Sequence, residues 1–408
     1  MKRIGIIGCG WIFQSEHVLG YLATNNGYIH GFCDLNTELA EKAKKIYVDG
    51  IQQRLAKATT SSEKELCTKA LECKTYTKAE EMIPNVDGVD ICTPPQFHMK
   101  FAKMAADAGK AVLCEKPLAR TYLDAEFALD SLKKVPFYIF TQVIYNPIFK
   151  KGKEIIESGK IGEIVRIKDC HATLDLDHTV SKENFWLPLV SGGGALKDIG
   201  PHAYSVMRYW LGKNYRLKTV KDNGIATRVA ERTIENKPNY KVRVEDVAKL
   251  QIEWENDQGK IIPAELEAYW GGQPDYCKYG LYHEIEGTKG TMIFPNGTLG
   301  LLLGKKPFFG IHVFFKIIYK DGRVEKISMP QPAPHTESKV AIDEFCAGID
   351  SRSPAWYGED MMLILDGGYL SKKRGGQKIT PADFKAYCKQ IGGTDKEAPV
   401  KVINDLFS

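Results

Sequence analysis

The sequence RIGIIGCGWIF, at residues 3–13, joins a short apolar run to a turn that contains two glycines. Continuous bulky apolar residues are typical of a strand that is buried on both faces of a sheet. A second run of this kind, over residues 28–33, ends at Asp34, and a segment of helical length separates the two runs. A strand, a helix and a second strand in this order predict a βαβ unit with parallel strands.

The same alternation continues to about residue 145. We expect strands at 86–92, 111–114 and 137–141, and helices at 37–48, 97–108 and 121–134. Residues 49–75 are rich in Lys, Glu, Thr and Ser, and we interpret them as an insertion outside the sheet, with one helix near 62–72. The predicted fold class is therefore α/β, with a doubly wound parallel (Rossmann) sheet in residues 1–145.

Composition excludes several classes of protein and partner. The chain has 408 residues, of which 43% are hydrophobic and 26% charged, so it is long enough for two or three globular domains. Its 56 basic and 51 acidic residues are scattered, and a net charge of +5 offers no concentrated basic face for nucleic acid. No apolar run approaches the roughly 20 residues of a membrane span.

The cysteines suggest a compartment. There are ten of them, with no CxxC pair and no recognisable secretory signal before them. We expect reduced thiols and a cytoplasmic location, since disulfides persist mainly in oxidising compartments.

The glycine turn predicts a dinucleotide site. Gly8 and Gly10 are the first two glycines of a GxGxxG loop, where they allow a tight turn and close approach of a pyrophosphate. The helix that begins at Trp11 and Ile12 offers free N–H groups to the phosphates. Phe13 replaces the third glycine, so helix and strand cannot pack as closely there. A glycine turn without a ligand is the alternative.

Asp34 bears on the choice of cofactor. It stands at the end of the second strand, where a carboxylate accepts a hydrogen bond from the ribose 2′-hydroxyl. The same carboxylate would repel a 2′-phosphate, which favours NAD over NADP.

Further motifs carry a family resemblance. They are TPPQFH at 93–98, GKAVLCEKPLA at 109–119, GGGALKDIGPH at 192–202, VED at 244–246, EGTKG at 286–290 and GED at 358–360. In this order and spacing they resemble the Gfo/Idh/MocA oxidoreductases over roughly residues 2–380.

The resemblance implies the catalytic residues. In that family the lysine of EKP and the aspartate and histidine of DxGxH surround the nicotinamide, and they map onto Lys116, Asp198 and His202. The implied reaction removes a hydride and a proton from a secondary hydroxyl. His202 is the expected general base, and Lys116 a hydrogen-bond donor to the hydroxyl or an alternative base. Asp198 is expected to bind substrate or orient the imidazole.

The motifs also imply neighbours of the cofactor. Thr93, Pro94 and His98 are expected near it, although His98 could simply cap the helix that follows. Glu115 is expected to orient Lys116 and its loop.

The resemblance and its departures also shape the substrate prediction. Tyr145 and Asp175 are expected to contact the substrate. Many relatives carry arginines around residues 142–146, whereas this chain has neutral Gln142, Tyr145 and Asn146. Position 205 is serine where the motif often has a second aspartate. The serine means that one carboxylate is missing or replaced, while the neutral groups at 142–146 favour a neutral sugar or polyol as the small-molecule partner.

A cluster of potential ligands lies before the triple glycine. It consists of His171, Asp175, Asp177 and His178. No second motif completes a metal site, so we expect no metal there, and either polar contact with substrate or a plain charged loop.

From residue 146 the pattern changes to strands joined by short turns. After a helix at 148–158 we expect strands at 161–173, 246–254, 261–269, 279–286, 291–294, 311–319 and 323–329. By resemblance, residues 146–378 form an α/β substrate-binding and oligomerisation domain with a large, open, mixed and mainly antiparallel sheet. A bare sheet face needs covering, which predicts a homodimer or homotetramer.

Residues 379–408 are predicted to add a helical extension. Thr380-Pro381 suits the cap and first position of one extra helix.

Two other functions remain open. Some relatives retain NAD and use transient oxidation to cleave a glycosidic bond by elimination. A non-catalytic NAD-sensing protein is the more remote alternative.

Overall fold

The computed structural model describes residues 1–173, 188–229, 231–234, 237–277, 280–294, 313–330, 332–392 and 397–408. These residues form two compact units. The first comprises Met1–Ala119, Asp124–Tyr145 and His335–Glu359, and the second comprises Arg120–Leu123, Asn146–Pro334 and Asp360–Ser408.

The first unit contains a six-stranded parallel sheet, as predicted. Its strands are β1 (Lys2–Ile7), β2 (Gly27–Cys33), β3 (Lys74–Tyr76), β4 (Gly88–Ile91), β5 (Ala111–Glu115) and β6 (Phe137–Phe140). Their order is β3-β2-β1-β4-β5-β6, so the direction of winding reverses between β1 and β4. The helices of this part of the chain are Val18–Ala23, Thr37–Lys57, Ser61–Ala70, Ala79–Met82, Pro95–Asp107 and Tyr122–Leu132.

The prediction for residues 49–75 is wrong in two respects. The helix that begins after Asn36 extends to Lys57 rather than ending near residue 48. Its buried residues Ala43, Tyr47 and Ile51 recur every four positions, so the apolar stripe continues through the polar stretch. The insertion also does not lie wholly outside the sheet, because β3 begins at Lys74 and pairs with β2.

Residues 335–359 belong to the first unit, although the sequence prediction put them in the second domain. The helix Thr336–Ala347 packs against the helix Val18–Ala23, where a Cβ atom on Gly20 would lie 2.5 Å from Cδ1 of Ile342. Thr24 donates a hydrogen bond to Asp343 at 2.5 Å. Such packing depends on contacts over more than 300 residues of sequence, which local patterns do not show.

The second unit contains the predicted mixed sheet. Its strands are β7 (Ile164–Thr173), β8 (Tyr215–Asp222), β11 (Val247–Asn256), β12 (Ile261–Trp270), β13 (Leu281–Gly287), β14 (Gly290–Phe294), β15 (Val313–Tyr319) and β16 (Val324–Met329). The order is β16-β15-β14-β13-β7-β12-β11-β8. Only β7 and β12 pair in parallel among the described strands of this sheet. Strands β9 (Glu231–Ile234) and β10 (Lys237–Lys241) form a separate antiparallel pair.

The remaining helices are Pro147–Glu157, Pro188–Ser191, Ala195–Asp198, Gly200–Leu211, Ala355–Lys373, Pro381–Gly392 and Ala398–Leu406. The predicted extension begins at Pro381, where Thr380 and Asp383 each accept a hydrogen bond from the other's backbone N–H at 3.0 Å. It contains two helices rather than the one predicted, and the second buries Val402 and Ile403.

Two further expectations can be compared with the structure. All ten cysteines are free and buried, in agreement with the predicted thiols. Within the described residues, no helix combines the length and the apolar character needed to cross a bilayer. Assembly as a homodimer or homotetramer stays a prediction.

Candidate active site

The two glycines of the first turn have different roles. Gly8 has φ +91°, and a Cβ atom there would lie 2.8 Å from the carbonyl carbon of Cys92 and from the amide nitrogen of Thr93. A Cβ atom on Gly10 would meet no atom within 4 Å. Gly8 is therefore needed to close the turn, while Gly10 leaves open space from which a phosphate can approach the backbone.

The helix after this turn has an unusual beginning. Residues Phe13–His17 form a π-helical turn that continues into the helix Val18–Ala23. The buried ring of Phe13 packs edge-on against Phe32 of β2, with the ring centroids 5.8 Å apart. We attribute the wide turn to this ring, which occupies the position where a third glycine allows closer packing. Trp11 is exposed beside the turn.

Asp34 follows β2 and faces the glycine turn. Its Oδ2 atom accepts a hydrogen bond from Cys9 N at 2.8 Å, and its Oδ1 atom accepts one from Asn36 N at 2.9 Å. These bonds fix the carboxylate, and each oxygen keeps further accepting capacity for a hydroxyl group.

Four neighbouring strands bring the predicted cofactor residues to one edge. Strands β2, β1, β4 and β5 end beside one another, immediately before Asp34, Gly8, the segment 92–94 and Lys116 respectively. Ligands of open parallel sheets bind outside the carboxyl ends of the strands, where the winding reverses. The reversal between β1 and β4 lies within this edge.

Polar atoms at this edge lack partners. The hydroxyl oxygens of Thr93 and Thr141 and Oε1 of Gln142 are buried without a hydrogen-bond partner in the described part of the chain. Buried polar groups are nearly always satisfied, so these atoms are available to a polar ligand or to water.

His98 contacts both the TPP segment and the EKP segment. It is buried, with Nδ1 2.9 Å from the carbonyl oxygen of Pro117 and Nε2 2.7 Å from that of Thr93. Burial lowers the pKa of His98, although the backbone carbonyls oppose that effect. His98 thus connects the TPP segment to the EKP segment, while its contact with a cofactor stays a prediction, as does that of exposed Pro94.

Glu115 holds the backbone of Lys116. Its Oε2 atom accepts a hydrogen bond from Lys116 N at 2.8 Å, which agrees with the orienting role expected for this glutamate. Lys116 is partly exposed, and its peptide bond to Pro117 is cis.

The sequence analysis missed a buried ionic network below Lys116. The imidazole of His17 lies between the carboxylates of Asp90 and Glu115, and Tyr21 donates a hydrogen bond to Asp90. One signal was available: Asp90 is a charged residue inside an otherwise apolar strand, which indicates a buried partner of opposite charge.

The triple glycine of the second unit is required by crowding. Cβ atoms on Gly192, Gly193 and Gly194 would lie 2.1 Å from the carbonyl oxygen of Arg120, 2.0 Å from Oη of Tyr369 and 2.0 Å from the carbonyl oxygen of Glu245. Gly192 and Gly193 also have positive φ values, of 82° and 155°. No other residue type fits this loop without moving its neighbours.

Glu245, of the VED motif, anchors the helix that follows. Its buried carboxylate accepts hydrogen bonds from Gly194 N at 3.0 Å, from Leu196 N at 2.8 Å and from Oη of Tyr369 at 2.7 Å. Burial raises the pKa of Glu245, and these donors oppose the rise. The carboxylate at this helix start therefore fixes the segment that carries Asp198.

A second buried pair supports the same segment. Lys197 forms an ion pair with Asp366, whose other oxygen accepts a hydrogen bond from Tyr122 N at 2.6 Å. The sequence analysis did not single out these residues.

Asp198 and His202 stand on consecutive helices. Ile199 separates the helix Ala195–Asp198 from Gly200–Leu211, so the two residues do not share one continuous helix. Oδ2 of Asp198 accepts a hydrogen bond from Nε1 of Trp270 at 2.9 Å.

The ring of His202 stacks on a second histidine. The centroids of His202 and His171 are 6.2 Å apart, and the ring planes differ by 12°. Burial, and then the neighbouring His283, lower the pKa of His171 well below its usual value. His202 therefore faces a neutral imidazole on this side.

Tyr145 and Asp175 were predicted to contact the substrate. Tyr145 is buried, with the guanidinium of Arg352 4.7 Å from its ring centroid, and its contact with substrate stays a prediction. Asp175 lies outside the described residues, as do Asp177 and His178 of the same cluster. The hydroxyl of Ser205 donates to the carbonyl oxygen of Pro201 at 2.6 Å and is buried in its helix.

Comparison with known families gives two adjoining matches. Residues 2–140 match the oxidoreductase family with an NAD-binding Rossmann fold, and residues 149–293 match the GFO/IDH/MocA C-terminal domain. Together the two ranges cover most of the chain.

Curated relatives include sugar and polyol dehydrogenases. Levoglucosan dehydrogenase of Pseudarthrobacter phenanthrenivorans is 28% identical over 228 residues, which cover 52% of this chain and 56% of that protein. Oxidoreductase P35 of Formosa agariphila is 29% identical over 37% of this chain and 50% of its own length, so these two matches span about half of each relative. Myo-inositol 2-dehydrogenase of Thermotoga maritima is 26% identical over 91% of this chain and 95% of that protein.

Solved structures share the fold over most of this chain. Levoglucosan dehydrogenase in complex with NADH and levoglucosan superposes with a TM-score of 0.69 at 21% identity, covering 93% of this chain and 98% of that one. An oxidoreductase from Agrobacterium radiobacter in complex with NAD+, L-tartaric acid and magnesium gives a TM-score of 0.67 at 18% identity, covering 94% and 99%.

Proposed function

The chain belongs to the Gfo/Idh/MocA family of NAD-binding oxidoreductases, and we propose that it oxidises a secondary hydroxyl of a sugar, glycoside or cyclic polyol with NAD. One observation carries the proposal: Gly10, Asp34, Thr93 and Lys116 all follow the carboxyl ends of four neighbouring parallel strands. The named relatives that act on levoglucosan and myo-inositol support the substrate class.

The residues at this edge fit a dinucleotide. The space above Gly10 admits a phosphate, and the helix that begins beside it presents backbone N–H groups. Asp34 accepts hydrogen bonds from a ribose diol and disfavours a 2′-phosphate, which supports NAD rather than NADP. The hydroxyl of Thr93, which has no hydrogen-bond partner among the described residues, supplies a further polar contact. When bound, NAD supplies the acceptor for the hydride.

The proton is handled by residues of this chain. His202 accepts the proton of the substrate hydroxyl as general base, and Lys116 donates a hydrogen bond to the hydroxyl oxygen and serves as the alternative acid–base group. Asp198, which Trp270 holds through its Nε1 atom, orients the imidazole or binds a second hydroxyl of the substrate. Glu115 fixes the main chain from which Lys116 extends.

Turnover assays test the proposal. The purified protein is incubated with NAD or NADP and a panel that contains levoglucosan, myo-inositol, hexoses and glycosides, and the ultraviolet absorbance of NADH is followed. We expect turnover with NAD and a loss of about a hundredfold or more in Lys116→Met. Lys110→Met, at a partly exposed lysine just before β5, is the matched control and should keep wild-type activity.

Two outcomes would count against this function. One is the absence of NADH formation across the panel, and the other is an unchanged rate in Lys116→Met. Cleavage of a glycoside without accumulation of NADH would instead support the redox-neutral elimination.

A further inference from the structure

His17 is completely buried between two carboxylates. Its Nδ1 atom lies 2.8 Å from Oδ2 of Asp90, and its Nε2 atom lies 3.0 Å from Oε1 of Glu115. The exposed fraction is 0% for the His17 and Asp90 side chains and 7% for the side chain of Glu115. The ring of Phe140 covers the imidazole, with the centroids 3.9 Å apart.

The hydrogen-bond pattern around His17 favours two N–H groups on its ring, because a carboxylate faces each ring nitrogen. A neutral imidazole donates through one nitrogen only, so its other nitrogen would face a carboxylate oxygen with a lone pair. Both carboxylates already act as hydrogen-bond acceptors toward other groups. Asp90 accepts a hydrogen bond from Oη of Tyr21 at 2.9 Å, and Glu115 accepts one from Lys116 N at 2.8 Å. The imidazolium form satisfies both contacts at once.

The electrostatics agree with this geometry. Burial lowers the pKa of His17, but the charge and hydrogen bond of Asp90 raise it, and the net result lies well above the usual value. Burial raises the pKa of the Cys92 thiol and of the Tyr21 hydroxyl, so both stay neutral. The same holds for Cys114 on β5. The opposite charges that face His17 are therefore those of Asp90 and Glu115.

A metal ion explains the cluster less well. His17, Asp90 and Cys92 have potential ligand atoms within 4.8 Å of one another. However, ligand atoms about 2.0–2.1 Å from a tetrahedral ion are separated by roughly 3.3 Å. The 2.8 Å between Nδ1 of His17 and Oδ2 of Asp90 is a hydrogen-bond distance instead.

The network joins three segments at the sheet edge where β1, β4 and β5 end. His17 lies in the π-helical turn after the glycines, Asp90 lies near the end of β4, and Glu115 is the last residue of β5. Glu115 uses one oxygen for His17 and the other for Lys116 N. The orientation of its carboxylate, and with it the main chain of Lys116, thus depends on the charged imidazole.

We propose that His17 is a permanently protonated positioning residue that holds Glu115 in the orientation which fixes Lys116. This inference deepens the proposed oxidoreductase function and rests on it for its catalytic consequence. The charge on His17 and the restraint on Lys116 N–H do not depend on the identity of the substrate.

Nuclear magnetic resonance of histidine-labelled protein tests the charge. At a pH of about 8.5, two units above the usual histidine pKa, we expect a doubly protonated imidazole signal that is assigned to His17 by its loss in His17→Gln. His30→Gln is the matched control, because burial and then Arg3 and Lys74 lower the pKa of His30 and leave it neutral at that pH. A His17 imidazole that loses its proton near pH 6.5 or below would overturn the proposal.

Hydrogen exchange tests the restraint. The Lys116 amide is expected to be protected in the wild type, and to exchange at least about tenfold faster in His17→Gln than in the wild type or in His30→Gln. Equal exchange in all three proteins would contradict the positioning role even if His17 is charged. Neither experiment needs a turnover assay, so both remain decisive if no substrate is oxidised.

Kinetics tests the consequence for catalysis. In His17→Gln we expect kcat to fall by about tenfold or more, since small misplacements of a reacting group cost this much, while the Kd for NAD changes by less than about threefold. Tyr21→Phe, which removes only the outer hydrogen bond to Asp90, should fall between wild type and His17→Gln. An unchanged kcat in a folded His17→Gln protein would refute the catalytic part, whereas an inactive wild type would refute the proposed function alone.

Discussion

A Cβ atom on Gly8 would lie 2.8 Å from the carbonyl carbon of Cys92, so the turn after β1 packs directly on the chain that leaves β4. Strands β1 and β4 are neighbours in the sheet and run parallel. This contact sets the position of the glycine turn, whereas the next glycine of the motif, Gly10, faces open space.

The two glycines should therefore respond differently to alanine. Gly8→Ala places a Cβ atom against main chain at positive φ, and it is expected to lower the free energy of unfolding by about 2 kcal/mol or more. Gly10→Ala should keep the wild-type melting temperature but weaken NAD binding by about tenfold, because the methyl group enters the space that a phosphate needs. Thermal unfolding and calorimetric titration with NAD measure the two effects. Wild-type affinity in Gly10→Ala would argue against a phosphate site above this turn.

Asp34 should control the choice between NAD and NADP. Asp34→Asn retains an acceptor for Cys9 N but loses the charge, whereas Asp34→Ser loses both the charge and the reach. A charge-assisted hydrogen bond contributes about 2 kcal/mol, so Asp34→Ser is expected to weaken NAD binding by roughly thirtyfold. Both variants should improve the ratio of NADP to NAD affinity, because the repulsion of a 2′-phosphate is gone. If the ratio stays constant in calorimetric titrations, Asp34 does not face the ribose.

Trp270 should matter for catalysis through Asp198. Trp270→Phe removes the Nε1 donor that lies 2.9 Å from Oδ2 of Asp198, and we expect kcat to fall by about tenfold. Trp254→Phe is the matched control, since Trp254 is also fully buried but its Nε1 atom has no partner in the described part of the chain. The control should lower stability without changing kcat. Equal kcat values for both variants would show that the contact between Trp270 and Asp198 does not affect the reaction.

The buried His171 of the second unit should make the protein less stable in acid. The pKa of His171 is lowered by burial, so below about pH 6.5 the unfolded chain binds a proton that the folded chain refuses. The free energy of unfolding should fall by up to about 1.4 kcal/mol per pH unit between pH 6.5 and 5.

The neighbouring pair should not add to this slope. His283 lies 2.5 Å from Asp169, and burial raises the pKa of Asp169 and lowers that of His283 to about 3. In the folded chain near pH 5 the pair therefore holds one proton, on Asp169. In the unfolded chain at the same pH the pair also holds one proton, on His283. Urea unfolding of wild type and His171→Gln at several pH values should therefore show a flatter profile in the variant. Parallel profiles would assign the acid sensitivity to other groups.

Much of the fold could be predicted from local patterns. The strands of both sheets have apolar runs or alternation, and the turn at Gly8 and Gly10 carries its own signature. The errors arose where distant contacts decide the outcome. The polar helix up to Lys57 is held by a sparse buried stripe, and residues 335–359 join the first unit by packing against a helix far away in sequence.

The site was predicted less completely than the fold. Motifs predicted catalytic roles for Lys116, Asp198 and His202, because chemistry restricts those residue types, and these roles stay predictions. The positioning residues His17, Trp270 and Lys197 were missed in that role, since their partners are brought together only by the folded chain.

Transfer of the hydride itself is the most direct test of the proposed oxidoreductase function. The best substrate of the panel is prepared with deuterium on the carbon that bears the reacting hydroxyl, and the cofactor is analysed by mass spectrometry after one turnover. We expect reduced NAD that carries the deuterium, and in Lys116→Met both label transfer and oxidised product should form at least about a hundredfold more slowly. Oxidised product accompanied by unlabelled cofactor, or labelled cofactor at the wild-type rate in Lys116→Met, would contradict the proposed function.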